Sequence, residues 1–219
     1  MPTGVIYFAA GVILAYLIGA IPFGWLAGKI LKGVDIREHG SGNIGATNAG
    51  RVLGKRIGLT VLFLDAFKGF APVYFIPMIP QFYAITGTAW TFFAPALGLA
   101  TILGHNWPVY IGFKGGKGMS TSLGVLLALS PTVVGCGAAT FLLVVLITRW
   151  VSLASIAACP VAITAAWYLH PNLIPINSLI TLMGLLAIIR HHRNIVRLIK
   201  GTEPKFDFAA KRAEGKDNG

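Results

Sequence analysis

Residues 119–189, MSTSLGVLLALSPTVVGCGAATFLLVVLITRWVSLASIAACPVAITAAWYLHPNLIPINSLITLMGLLAII, hold a single charged side chain, Arg149. About 20 apolar residues make one helical crossing of a bilayer, so this run is long enough for two long crossings or four short ones. Its internal breaks are Ser130-Pro131, Arg149 and His170-Pro171-Asn172. An isolated arginine is costly at mid-bilayer and comfortable at the cytoplasmic surface. Four short crossings put Arg149 at that surface and two do not, so helices are expected at 119–132, 133–148, 150–169 and 175–189.

Outward from this run, further apolar stretches at 4–27, 57–80 and 88–104 complete an all-α, polytopic membrane protein. The expected count is seven transmembrane helices, with the N-terminus outside and the C-terminus cytoplasmic. Because 119–132 is short for a crossing, five spans plus re-entrant pieces is the alternative. The composition agrees: 55% of the 219 residues are hydrophobic, 11% are charged and the mean hydropathy is +0.74, whereas a soluble domain is about 25% charged. An ordinary soluble protein is excluded. The 27 glycines and 12 prolines fall inside apolar runs rather than polar tracts, which excludes disordered and collagen-like chains.

Eighteen Lys and Arg against 7 Asp and Glu give a net charge of +11. In the seven-span arrangement every cation except Lys68 falls in an inside loop, as the positive-inside rule requires. The basic excess therefore reads as membrane orientation beside an anionic leaflet rather than as nucleic-acid binding. Cys136 and Cys159 sit in apolar sequence without a CxxC spacing, as small buried hydrophobes do. No basic residue precedes the first apolar run, which is longer than the core of a signal peptide, so it reads as an uncleaved first span. One domain, 1–205, followed by a charged tail, 206–219, is expected, with water-soluble chemistry confined to three inside segments, 28–56, 105–121 and 190–205.

The first segment contains His39-Gly-Ser41-Gly-Asn43-Ile-Gly-Ala-Thr47-Asn48-Ala-Gly-Arg51. Glycines free backbone N–H groups to face an anion, Ser, Thr and Asn add short donors, and Arg51 adds a fork suited to phosphate. The second, Gly104-His105-Asn106-Trp107-Pro108 and Phe113-Lys114-Gly115-Gly116-Lys117-Gly118-Met119-Ser120-Thr121, sets two lysines in a glycine run ahead of an apolar helix, another phosphate-binding pattern. It is not a Walker A loop, because Gly118 stands where that motif needs Ser or Thr. The third, Arg190-His191-His192-Arg193-Asn194-Ile-Val-Arg197-Leu198 followed by Gly201-Thr202-Glu203, presents His191, Asn194 and Arg197 or Leu198 on one face if the last helix continues past the membrane. Adjacent histidines point apart and no carboxylate stands at a chelating spacing, so no metal is expected. Asp65 and Lys68, inside the second span, pair with each other or line a polar cleft.

Taken together, Ser41 to Asn48 with Arg51, Asp65-Ala-Phe-Lys68-Gly69, Gly104-His105 through Pro108 to Phe113-Lys-Gly-Gly-Lys-Gly118, and His191-His-Arg-Asn194-Ile-Val-Arg197-Leu198 resemble the bacterial acyl-phosphate-dependent glycerol-3-phosphate acyltransferases over residues 4 to 205. The resemblance implies transfer of a fatty acyl group from acyl phosphate to the 1-hydroxyl of sn-glycerol 3-phosphate. The products are lysophosphatidate and inorganic phosphate, the first step of phospholipid synthesis. It also implies an inner-membrane protein with its site facing the cytoplasm, without cofactor or metal. The residues agree with a simple chemistry, since no histidine is followed by Asp at H-x-x-x-x-D spacing and no nucleophile triad stands out. An acyl phosphate is already activated, so the enzyme mainly positions two phosphorylated substrates.

On this reading His191, Asn194 and Lys117 are the catalytic residues, and Ser41, Arg51, Lys117, His191 and Asn194 hold glycerol 3-phosphate. Asn43, Thr47, Asn48, Gly115, Gly116 and Gly118 hold acyl phosphate, while Asp65, Lys68, His105, Lys114, Arg197 and Glu203 support them. Transfer is expected to be direct, in a monomer surrounded by membrane lipids, with either His191 or a substrate oxygen as base. The acyl chain is expected to enter from the bilayer by a groove near Gly24-x-x-x-Gly28. The competing class is a transporter of a phosphorylated solute, against which stand the one-sided clustering of the charged motifs and the lack of paired broken helices.

Overall fold

The computed structural model describes residues 2–85 and 87–206, so the tail from 207 onward lies outside them. Among the described residues there is no strand. The α-helices are α1 (Pro2–Ala20), α2 (Phe23–Lys32), α3 (Ala46–Leu53), α4 (Lys55–Phe75), α5 (Thr88–Asn106), α6 (Met119–Leu129), α7 (Pro131–Thr148), α8 (Val151–Leu169), α9 (Ile174–Arg190) and α10 (His192–Ile199). The apolar run of 119–189 becomes four helices, α6 to α9, parted at Ser130, at Arg149-Trp150 and at 170–173. Each predicted break therefore ends a helix. Among the described residues four stretches are long and apolar enough to cross a membrane, 3–32, 55–78, 131–148 and 151–169, and α9 with α10, bent by 54°, passes the same test when the pair is taken together. α6, at 11 residues, is a shorter apolar helix.

Three local differences from the sequence reading matter for the site. First, the run 4–27 is broken at Ile21-Pro22, where proline lacks the N–H that would continue α1. The Ile21 carbonyl at this break accepts the ammonium of Lys68 at 2.6 Å. Second, α5 runs to Asn106, so His105 and Asn106 are the buried last turn of a helix rather than the start of a loop. Third, α9 does not continue straight: His191 closes α9 and opens α10, and the bend lays α10 across the end of the bundle.

Small residues allow the central helices to touch backbone to backbone. A Cβ on Gly104 of α5 would strike α1 at the Tyr16 carbonyl, one on Gly69 of α4 would strike the Thr121 backbone of α6, and one on Gly124 of α6 would strike the Ala66 carbonyl of α4. Gly24 and Gly28 press in the same way against Ile44, Val34 and Ile36. They seat α2 on the first motif segment and do not border an acyl groove, which corrects the expectation for that pair. Behind these contacts lies an apolar core built on Ala15, Val73, Phe93, Leu97, Ile102 and Val125.

Candidate active site

The first segment is a turn followed by a helix. Asn48, on α3, is buried and spends its whole side chain on the turn: its oxygen accepts the Ser41 N–H at 2.7 Å, and its amide donates to the Ile36 and His39 carbonyls at 2.9 and 3.1 Å. It shapes the loop and has no donor left for a ligand. Asn43 accepts the Gly45 N–H at 2.9 Å, which leaves its amide nitrogen available. Asp35 caps the preceding turn and pairs with Arg37 at 2.7 Å. The Arg37 guanidinium also donates to the Ile111 carbonyl at 3.1 Å, which ties the first segment to the second.

The glycines of the second segment serve close packing. Gly116 donates its N–H to the His105 carbonyl at 3.0 Å, and a Cβ there would strike the His105 ring. Gly115 lies equally close to the end of α5. Arg190, which nothing in the sequence separates from the other cations of the third segment, clamps the pair, donating to the Gly116 carbonyl at 2.6 Å and the Gly115 carbonyl at 3.3 Å while its guanidinium stacks 5.3 Å from the Trp107 ring. Beneath the loop, Asp65 pairs with Lys68 at 2.8 Å and lies 3.7 Å from His105, all three buried. This group ties α4 to α5 and to the break after α1.

Lys117 leaves this clamped loop and meets the third segment. Its ammonium donates to Asn194 Oδ1 at 2.5 Å, Asn194 Nδ2 donates to Glu203 Oε1 at 2.7 Å, and Arg197 Nε donates to Glu203 Oε2 at 2.6 Å. The chain 203–206 then returns over the α7–α8 turn: Trp150 Nε1 donates to the Glu203 carbonyl at 3.1 Å, and Arg149 O accepts the Phe206 N–H at 2.6 Å. Arg149 thus sits at the same end of the bundle as the three motif segments. Arg51, on α3, reaches the Pro204 carbonyl at 3.3 Å.

Burial sets the protonation of this cluster. It pulls the Lys117 ammonium down to about 8, against the partial support of Glu203. It also pushes the His191 imidazole down to about 4, with Lys117 adding repulsion. Neutral at physiological pH, His191 has Nδ1 within 2.7 Å of the Ala187 carbonyl. Nδ1 must carry the proton there, and Nε2 is then a lone-pair acceptor. Burial raises the Glu203 carboxyl, but the hydrogen bonds from Asn194 and Arg197 outweigh it and keep the group below its usual range.

These residues close one end of a cavity of about 410 Å³. Its polar end is lined by Ser41, Asn43, Thr47, Arg51, Lys117, Gly118, His191, Asn194 and Glu203, with Asp65 and His105 below. The rest is apolar and runs between α6, α7, α8 and α9 past Leu126, Phe141, Ala158 and Met183. Of the residues expected from sequence, Gly115, Gly116, Lys68, Lys114 and Arg197 do not line the cavity. The first two are consumed in packing, Lys68 in its buried pair, Arg197 on Glu203, and Lys114 is exposed. Ser152 and Ser155 of α8 line it and had no motif to mark them. Arg51 and Lys117 among neutral donors, with the Glu203 carboxylate engaged by Asn194 and Arg197, next to an apolar slot, suit an amphiphile with an anionic head.

The sequence profile of the family described as glycerol-3-phosphate acyltransferase matches residues 9–201. A glycerol-3-phosphate acyltransferase of Staphylococcus saprophyticus is 47% identical over 198 residues, covering 90% of this chain and 96% of that protein. One of Staphylococcus aureus is 44% identical over the same shares. Crystal structures of PlsY (YgiH), an integral membrane glycerol 3-phosphate acyltransferase, in its glycerol 3-phosphate and lysophosphatidic acid forms are similar with TM-scores of 0.81 and 0.79 at 42% identity. They cover 91% of this chain and 96% and 95% of theirs. With the profile and these relatives spanning nearly all of its length, the chain belongs to the glycerol-3-phosphate acyltransferase family.

Proposed function

We propose that the chain carries out its family's reaction, acylation of glycerol 3-phosphate, with an acyl phosphate as donor and by direct transfer to the 1-hydroxyl, releasing lysophosphatidate and inorganic phosphate. The observation that carries this reading is a single cavity with Arg51 and Lys117 at one end and an apolar slot between α6 and α9 at the other. A donor with phosphate at its head and a hydrocarbon tail fills both ends, and Leu142, 56% exposed at the cavity edge, marks a lateral way in from the bilayer.

Within the site, Ser41, Arg51, Lys117 and Asn194 hold the phosphate of glycerol 3-phosphate, and Nε2 of His191 accepts a hydrogen bond from its glycerol hydroxyl. Asn43, Thr47 and the Gly118 backbone hold the acyl phosphate. Asn48, Arg190, Asp65, Lys68 and His105 keep these groups in place. The Nδ1 of His191 faces a carbonyl rather than a carboxylate, and burial with the repulsion of Lys117 outweighs the support that the Ala187 carbonyl and Glu203 give a charged imidazolium. The hydroxyl proton therefore passes to a phosphoryl oxygen of the donor as its carbonyl is attacked, and the phosphate leaves carrying it. No acyl-enzyme forms.

The same reading places seven crossings in the bacterial inner membrane, N-terminus outside and C-terminus cytoplasmic, with the three segments at the cytoplasmic face of a single-domain monomer, 1–205. The apposition of Arg149 to the chain at Phe206 supports it, because the lone arginine of the apolar run stands with the other loop cations. The test is purified protein supplied with palmitoyl phosphate or palmitoyl-CoA and glycerol 3-phosphate. Phosphate release and lysophosphatidate with the first donor alone are expected. Parallel double-reciprocal lines or a trapped acyl-protein would overturn direct transfer. Labelling of single cysteines placed at 3 and 205 from opposite sides of sealed vesicles tests the orientation.

A further inference from the structure

We propose that the far end of the cavity is a ruler for the acyl chain, with Val133, Ala162 and Ile180 as its floor. This deepens the acyl-phosphate reading above and rests on it. The cavity wall on α8 runs from Val151 to Ala162, and the wall along α9 from Ile180 to His191 at its end. At about 1.5 Å per residue each is roughly 15–17 Å deep. The hydrocarbon of a bilayer is about 30 Å thick, so one leaflet, the depth of an ordinary membrane acyl chain, is about 15 Å. The slot is one leaflet deep.

It ends on a closed surface. Val133 and Ala166 are 0% exposed and Ile180 is 2% exposed, packed together with Leu126, Ile163 and Ile176. Behind that layer the two turns at this end of the bundle are tied. Thr132 Oγ1 lies 2.8 Å from His170 Nε2, and Asn177 Nδ2 donates to the His170 carbonyl at 2.8 Å. Helices α7 and α9 are thereby held to the end of α8, so a longer tail meets a braced floor. The side walls are made of small residues, Gly137, Ala138, Ala158 and Gly184, which keep the slot open along its length.

The experiment measures kcat/KM for decanoyl, dodecanoyl, tetradecanoyl, hexadecanoyl and octadecanoyl phosphates on the full-length protein and two floor variants. Ala162→Phe raises the floor and is expected to lower the hexadecanoyl-to-decanoyl ratio by about fourfold for every methylene it displaces. Ile180→Ala lowers the floor and is expected to raise the octadecanoyl-to-hexadecanoyl ratio by a similar factor. Opposite shifts in the two variants support the ruler, and Ile180→Ala decides alone if Ala162→Phe does not fold. Unchanged ratios in folded, active variants overturn it. No turnover of any acyl phosphate by the unaltered protein is a different result: it removes the donor assignment, and the ruler with it.

Discussion

Helices α5 and α7 are both apolar and of nearly equal length, 19 and 18 residues, yet they live in different surroundings. On α5, ten residues from Phe93 to Asn106 are buried, while on α7 only Val133 and Val145 are. Small residues alone do not make the difference, because α7 has Gly135, Gly137 and Ala138 of its own, beside open space or the cavity. What differs is which partners meet them and the polar groups that α5 buries. α5 sets Gly98, Ala100, Thr101 and Gly104 among its large residues, so α1, α4 and α6 approach it closely, and it ends in two buried polar groups, His105 and Asn106. α7 carries Leu142, Leu143, Leu146 and Ile147 outward, where lipid replaces protein. A bilayer is as apolar as a protein core, so burial between helices follows from fit and hydrogen bonding. The well-packed half holds the motif segments, and the loosely packed half forms the slot.

The strongest way to break this contrast is at the ion pair of the packed half. Lys68→Met strands the buried Asp65 and is expected to cost about 3–5 kcal/mol, read as a large fall in melting temperature in detergent. If the variant melts like the parent, the pair does not brace that half. Next is a matched glycine pair: Gly124→Leu forces a side chain into the Ala66 carbonyl, whereas Gly135 of α7 has open space around it. About 1–3 kcal/mol of overpacking is expected for the first and none for the second, and equal melting temperatures would erase the distinction.

At the polar end, Arg51→Ala and Lys117→Ala are each expected to lower kcat/KM by about ten- to hundredfold, since on the proposed reading each removes a charge-assisted bond to phosphate. Steady-state rates in glycerol 3-phosphate check this. A smaller, pH-dependent effect sharpens it. Lys117 is cationic below about 8, so activity at low glycerol 3-phosphate should fall as pH rises through that value. Lys117→Arg should abolish the fall. The sign for stability is opposite: with its pKa pulled from 10.5 to about 8 in the fold, Lys117 leaves the unfolded chain binding more protons between those values, and the unliganded protein gains stability there as pH rises. The smallest effect belongs to the outer face of α7. Leu143→Ala and Ile147→Ala, at 61% and 73% exposed positions, are expected to change the melting free energy by no more than about 0.5 kcal/mol.

Much of this architecture was legible beforehand. Ser130-Pro131, Arg149 and His170-Pro171 end helices because proline removes an N–H and because charge avoids hydrocarbon, both local effects. The break at Pro22 obeys the same rule but is masked in the sequence, because the flanking residues are uniformly apolar. The roles of single donors were less legible. Gly115, Gly116 and Asn48 look like phosphate ligands from their types, but the fold spends them on His105, Arg190 and the Ser41 turn. Arg190 looked like one more loop cation and proved to be the clamp on the glycine loop.

By itself, the sequence determined that the chain is a bundle of membrane helices, where most of them end, and which three segments gather the charge. These follow from hydropathy and backbone chemistry acting over a few neighbouring residues. Only the tertiary structure decided which donors are left unspent, how Lys117, Asn194 and Glu203 join into one chain, and that the space below them lies between α6, α7, α8 and α9. Hydrogen bonds are satisfied and cavities are left open by residues distant in sequence, and no local pattern encodes which of them will meet.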